Sequence, residues 1–425
     1  MRLNATPVLW SYAQVLFGSA AGRALSFLNI VICSKLLSVA EFGLYTICLA
    51  VLNVAWQISQ CFDISYIKFA KVAGDDEQKS AILESNLRLK KYYIALILLV
   101  SYPVAYFYGR YYLESSEIIV ALSLSACAGA FLVYSRTLAA VYQEKERFGL
   151  YSIIGFAHPF LVFACLVGCY LFWDDASLLS IVVIYLAGAL VSMVVSAYYL
   201  QRKIGVGSGK ASGSSFREVL ALSKWVFGVT LLYYVYQRVD VLLIGRIVGL
   251  EELGQYAVAA QIALVFSLFT GSVSGIFLPK SMLAVQSMQA FRKYLKEAFA
   301  PIMLILVGLI GFYFVCPFVV EIGFGDIYIS SISAIKILTI GWCFQVAYLP
   351  FQYLFYALNQ PRLRFLLEII KLGTAVVLLQ ALTPRYGIDG AASAISIAFF
   401  LNFIIASSVS IYSIVRSAKA AQEEV

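Results

Sequence analysis

Long apolar runs separated by short polar stretches recur along the whole chain. A membrane-crossing helix needs roughly 20 apolar residues, whereas a barrel strand would alternate apolar and polar positions over about ten. The runs do not alternate, so the pattern predicts helices. Twelve spans are expected, at roughly 8–34, 42–66, 92–109, 118–140, 150–172 and 178–200, then 222–248, 255–278, 299–321, 332–357, 365–382 and 390–414. The expected fold is an all-α membrane protein.

Composition agrees. Of 425 residues, 62% are hydrophobic and 13% charged, and the mean hydropathy is +0.88. Soluble domains are about 45–50% apolar and about 25% charged, so an aqueous globular fold is excluded. A single histidine argues against a multi-histidine metal site. The eight cysteines sit inside apolar runs, where cysteine behaves as a small hydrophobe. Gly207-Ser208-Gly209-Lys210-Ala211-Ser212 imitates a phosphate-binding loop but has Ile204 and Ala211 where glycine and Ser/Thr are required. It reads as a linker.

The net charge of +8 would suggest nucleic acid in a soluble protein; here its placement decides otherwise. Lys68, Lys71, Lys79, Arg88, Lys90 and Lys91 fill the stretch after span 2, and Lys145 and Arg147 follow span 4. Arg202, Lys203, Lys210 and Arg217 follow span 6; Lys280, Arg292, Lys293 and Lys296 follow span 8. Arg362 and Arg364 follow span 10, and Arg416 and Lys419 close the chain, while the alternate loops carry little. By the positive-inside rule both termini are expected to be cytoplasmic. The Met-Arg-Leu-Asn start lacks a basic n-region, so no cleaved signal peptide is expected. The outer loops, such as 111–117 and 173–177, are too short for a catalytic domain.

A Gly/Ser-rich linker at 205–217 divides the chain into halves 1–204 and 218–425. Across it, Asn29, Lys35, Glu41, Gly43 and Tyr45 recur as Asp240, Arg246, Glu252, Gly254 and Tyr256 at a constant offset of 211 residues. Gln143, Arg147 and Phe148 recur as Gln360, Arg364 and Phe365 at an offset of 217. Six spans per half keep both copies in one orientation. Parallel repeats of this kind are a transporter architecture, with substrate bound near the midplane.

Charged residues inside the bilayer cost about 2.5–3.5 kcal/mol even on a lenient scale and mark cavities or partners. Arg23 lies deep in span 1, directly after the small-xxx-small pair Gly18 and Gly22, which admits a close helix neighbour. Arg238 and Asp240 stand mid-span 7, two apart and so on diverging faces. Glu368 and Lys371, three apart in span 11, can pair on one face. Asp63 lies toward the inner end of span 2, where a capping role competes with function. Arg136 lies toward the inner end of span 4, close enough to the edge to snorkel. The shared positive sign of Arg23 and Arg238 suits a phosphate-bearing substrate, since guanidinium binds phosphate oxygens bidentately. Tyr92, Tyr93, Tyr111 and Tyr112 fit interfacial belts, whereas Tyr233, Tyr234 and Tyr236 lie deep and suit a sugar path as well as packing. His158, before Pro159 in span 5, is expected to satisfy backbone loosened by the proline.

At Leu36-Leu37-Ser38-Val39-Ala40-Glu41-Phe42-Gly43-Leu44-Tyr45, and again from Arg238-Val239-Asp240 to Gly254-Gln255-Tyr256, the chain resembles the bacterial polysaccharide transporter family of O-antigen and capsule flippases. These belong to the multidrug/oligosaccharidyl-lipid/polysaccharide superfamily. The resemblance implies a V-shaped, alternating-access carrier in the bacterial inner membrane, moving an undecaprenyl-pyrophosphate-linked oligosaccharide between leaflets. It implies no cofactor, a proton or sodium gradient as drive, membrane lipids as surroundings, and polysaccharide polymerase or chain-length machinery as partners; nucleic acid is not expected. Arg23 and Arg238, with Arg136, Lys371 and Tyr234, are the expected pyrophosphate and glycan ligands. Asp63, Asp240 and Glu368 are the expected ion-coupling acids. Two alternatives stand beside this: a cation-coupled multidrug exporter, which would favour acids over arginines, and a glycan polymerase or ligase, which would need a long catalytic external loop.

Overall fold

The computed structural model describes residues 5–116, 118–173, 176–202, 213–285, 287–358 and 360–423. Residues 205–212 of the expected linker lie outside these. Among the described residues all regular structure is helical. Eight helices are long and apolar enough to cross a membrane, nine if one bent pair counts as a single span. The chain divides into two compact units, Met1–Val235 and Tyr236–Val425.

The first unit comprises α1 (Ala5–Leu36), α2 (Val39–Ile58), α3 (Gln60–Val72), α4 (Asp76–Phe107), α5 (Ile118–Phe131), α6 (Val133–Glu144), α7 (Phe148–Phe172), α8 (Leu178–Arg202) and α9 (Gly213–Tyr236, up to the unit boundary). Gly18 and Gly22 admit α7 against α1 as their spacing predicts. A Cβ on Gly18 would stand 2.3 Å from that of Ser152, and one on Gly22 would stand 3.5 Å from the Gly155 carbonyl oxygen. Spans 2 and 4 run on as Val39–Val72 and Ile118–Glu144, each with a one-residue turn, at Ser59 between α2 and α3 and at Leu132 between α5 and α6, whose backbone stays in the helical region. No proline or glycine marks either turn. Helix α4 begins at Asp76, where Asp75 accepts from the Gln78 N–H, well before the expected start of span 3. A π-helical turn at Tyr108–Tyr112 follows Pro103.

The second unit comprises α10 (Val239–Val248), α11 (Leu250–Ala284), α12 (Met288–Gly323), α13 (Ser331–Ala357) and α14 (Pro361–Glu423). Gly387, at φ 55°, interrupts α14, and Gly249, at φ 93°, turns the chain from α10 into α11. Helix α12 exposes Leu304, Val307, Phe314 and Phe318. An apolar outer face suits lipid, where backbone groups must pair within the helix.

His158 turns away from the backbone that Pro159 loosens: its ring lies beside Tyr185, centroids 6.2 Å apart, and against Gly188, and it hydrogen-bonds the Tyr185 backbone. The Pro159 carbonyl itself accepts from Asn29 Nδ2 at 3.2 Å.

Candidate functional site

Asp63 lies just past Ser59, in the first turn of α3, and Arg136 just past Leu132, in the first turn of α6. Helices α3 and α6 pack together, so the two side chains meet, Arg136 Nε approaching Asp63 Oδ2 at 3.5 Å. Asp63 therefore does not cap the inner end of its span, and Arg136 turns to it rather than snorkelling. A third charge joins them. Lys90, 1% exposed, donates to Asp63 Oδ1 and, at 2.8 Å, to Thr137 Oγ1. Counting Lys90 among cytoplasmic loop charges is thus a misreading: α4 carries it into the interior on the row Ile82, Asn86, Lys90, one residue per turn. Around this trio lies an apolar cluster that includes Ile58, Phe62, Tyr66, Leu87, Val133 and Leu138. A charge buried in such surroundings persists only when paired.

One edge of the trio reaches further polar groups. The Arg136 guanidinium lies over the Trp56 ring, 5.4 Å from its centroid. Tyr234 donates to Gln60 Oε1 at 3.1 Å and lies within electrostatic reach of both Arg136 and Arg23. Arg23, exposed on α1, also has Tyr233 and Tyr151 within that reach.

In the second unit the sequence candidates are arranged differently. Lys371, 4% exposed, pairs with Glu368 at 2.5 Å and covers the face of Tyr236, 4.2 Å from the ring centroid. That i, i+3 pair neutralises itself and is built into the helix face. Arg238 occupies the N-cap position of α10, and its Nη1 is buried with no hydrogen-bond partner among the described residues. Asp240 does not pair with it: its carboxylate accepts from the Tyr256 hydroxyl at 2.8 Å and from the Val241 N–H at 2.7 Å. No group of three or more His, Cys, Asp or Glu that could hold a metal occurs among the described residues.

The described residues form a multi-pass helical membrane protein. The comparisons agree: the chain belongs to the polysaccharide biosynthesis protein family, whose model matches residues 13–281. A protein of Shigella flexneri described as a candidate O-antigen transporter is 22% identical over 402 residues, which cover 92% of this chain and 94% of that one. The fold is similar to the inward closed conformation of the lipid II flippase MurJ, with a TM-score of 0.76 at 14% identity over 95% of this chain and 89% of that one. It is also similar to an inward-facing multidrug resistance transporter of the MATE family and MOP superfamily, with a TM-score of 0.72 at 14% identity over 96% of each chain.

Proposed function

We propose that this protein carries an undecaprenyl-pyrophosphate-linked oligosaccharide from the cytoplasmic to the outer leaflet of the bacterial inner membrane by alternating access. Twelve spans with both termini cytoplasmic, in halves 1–204 and 218–425, are part of this reading. The observation that carries it is the Arg136 guanidinium, held over the Trp56 ring beside Asp63 and still partly exposed, with Arg23 exposed on α1 of the same unit. A pyrophosphate crossing hydrocarbon without help would lose all its water, at a cost far above thermal energy. Guanidinium forks replace that water with charge-assisted hydrogen bonds, and Trp56 and the neighbouring tyrosines offer flat faces to sugar rings. The name of the Shigella relative and that of the lipid II flippase support a lipid-linked saccharide as the cargo. Arg238, with a buried nitrogen unsatisfied among the described residues, is the phosphate ligand assigned within the second unit. Lys371, already neutralised by Glu368, is assigned a structural role.

A proton or sodium gradient supplies the drive in this reading. Of the three candidate acids, Asp63 and Glu368 are ion-paired, whereas Asp240 accepts from a hydroxyl and an amide and feels the Arg238 charge without an ion pair among the described residues. It is the acid least committed to a cation, so Asp240 is the coupling acid we assign. The multidrug alternative draws on the likeness to a MATE transporter, but cationic drugs would face guanidinium groups.

Deleting the gene and following the lipid-linked repeat unit across the leaflets tests the reading; unchanged appearance of the unit outside overturns it. In a complemented strain, Arg23→Ala, Arg136→Ala and Arg238→Ala should each lower export by about tenfold or more at unchanged membrane abundance, the equivalent of losing a charged hydrogen bond worth about 1.5–3 kcal/mol. Full export in all three removes the assigned site.

A further inference from the structure

Asp63 is shared between two cations whose holds on it differ. Lys90 is sealed from the surface, donates directly to Oδ1 and is itself fixed by Thr137. Arg136, its side chain 20% exposed, comes no nearer than Nε to Oδ2 at 3.5 Å, and Oδ2 accepts no hydrogen bond among the described residues. That distance is an ionic contact, not a hydrogen bond. The tight half of the network is inside and the loose half faces the groups assigned to the substrate. Two cations to one anion also leaves the trio one positive charge in excess.

We propose that Asp63 is a resident counter-anion for Arg136, displaced from it when a substrate phosphate binds and returning when the phosphate leaves, with Lys90 holding the carboxylate throughout. The inference rests on the reading of Arg136 as a phosphate ligand and deepens it by naming how that ligand is kept exchangeable. A guanidinium with no internal partner in a low-dielectric site would grip a pyrophosphate strongly, since Coulomb attraction grows as the dielectric falls. A tethered carboxylate competes at high effective concentration, so the apparent affinity is that of a free Arg136 multiplied by the fraction of time it is free. A carrier has to release its cargo, and the loose Arg136–Asp63 contact provides the competitor without any covalent bond being made or broken. The same contact ties α3 to α6, so its opening loosens their pairing.

Binding of inorganic pyrophosphate to the full-length protein in lipid nanodiscs, measured by calorimetry, tests this. The double variant D63N/K90M removes the competing carboxylate together with its buried ammonium and leaves neither charge stranded. It should bind pyrophosphate about fivefold or more tightly than the unaltered protein, the lower end of ordinary coupling effects. R136Q should weaken binding and, added to D63N/K90M, abolish the gain. If R136Q weakens binding but D63N/K90M binds no better than the unaltered protein, the phosphate reading stands and the resident role of Asp63 is overturned. If R136Q binds as well as the unaltered protein, or no form binds pyrophosphate, the phosphate reading falls and the inference with it. Should D63N/K90M fail to reach the membrane, D63E keeps the charge balance and pushes the carboxylate toward Arg136; it should bind pyrophosphate more weakly, and equal or tighter binding overturns the proposal.

Discussion

In the first unit the Tyr45 hydroxyl meets that of Tyr185 at 2.8 Å; at the matched position of the second, Tyr256 donates to Asp240 at the same distance. Both rings are sealed, 1% and 0% exposed, so the repeat keeps the packing and changes the partner. Asp240 itself stands where the first half has Asn29, which donates to the Pro159 carbonyl. The buried charges differ as well: the first unit holds Asp63 between Lys90 and Arg136, whereas the second pairs Lys371 with Glu368 within one helix and leaves Asp240 on a hydroxyl and an amide. The two halves share sequence positions and differ in the partners that those positions meet.

The sharpest test of that contrast removes one lysine from each unit. Lys90→Met strands Asp63 in an apolar cluster with only the long contact to Arg136, and breaking a buried pair in this way costs about 3–5 kcal/mol. Lys371→Met strands Glu368, which is 19% exposed and can turn toward solvent or headgroups, so its cost should be clearly smaller. Thermal denaturation of detergent-solubilised protein, followed by size-exclusion fluorescence, should show the larger drop for Lys90→Met. Equal drops would mean that the two lysines are held alike and that the units do not differ in this respect.

Next in size come the matched tyrosines. Tyr256→Phe removes a hydrogen bond to a carboxylate, about 1.5–3 kcal/mol, and Tyr45→Phe removes a neutral one, about 0.5–1.5 kcal/mol. Denaturant titration in mixed micelles should rank them in that order. The reverse ranking would mean that the Asp240 carboxylate draws no special stabilisation from Tyr256 and that the change of partner across the repeat carries no energetic weight.

The units also solve one helix start differently. Ser38 accepts from the Glu41 N–H at 3.3 Å while the Glu41 carboxylate accepts from the Ser38 N–H at 3.2 Å, a reciprocal cap. The matched residue is Gly249, at φ 93° and ψ 172°, a region open essentially to glycine. Ser38→Ala should cost about 1 kcal/mol. Gly249→Ser should not install the missing cap but cost about 1–3 kcal/mol in strain. A stabilising Gly249→Ser would show that the two starts are interchangeable.

Much of this could be read from the chain. The helical, membrane-capable character follows from run length, and the α1–α7 contact from Gly18 and Gly22. The pairing of Glu368 with Lys371 follows from their i, i+3 spacing. The turns at Ser59 and Leu132 were not legible, because Ile58-Ser59-Gln60 and Phe131-Leu132-Val133 contain neither proline nor glycine. Lys90 was hidden for a different reason. It lies between Arg88 and Lys91, a basic run that reads as a membrane edge, yet the helix rotates Lys90 inward and leaves Arg88 and Lys91 exposed. The signal that could have found it is helical spacing from Ile82 through Asn86 to Lys90, together with an Asp63 that needed a partner.

The smallest expected effect lies in the ion pairs outside the buried networks, where the units should behave alike. Lys71 pairs with Glu146 at 2.7 Å in the first and Lys280 with Glu297 at 2.6 Å in the second, and all four side chains are substantially exposed. The hydrogen bond from Lys71, with its charge, holds the Glu146 carboxyl below its ordinary value. A group depressed in the folded state contributes stability above its unfolded pKa and loses it as pH falls through the folded value. Solvent screens this pair, and exposed pairs contribute little. Glu146→Gln and Glu297→Gln should therefore leave the melting temperature at pH 7 unchanged, and Glu146→Gln should flatten only the acid limb of the stability profile. A drop at neutral pH as large as that of Lys90→Met would show that burial is not what separates the charges of the inner networks from those at the surface.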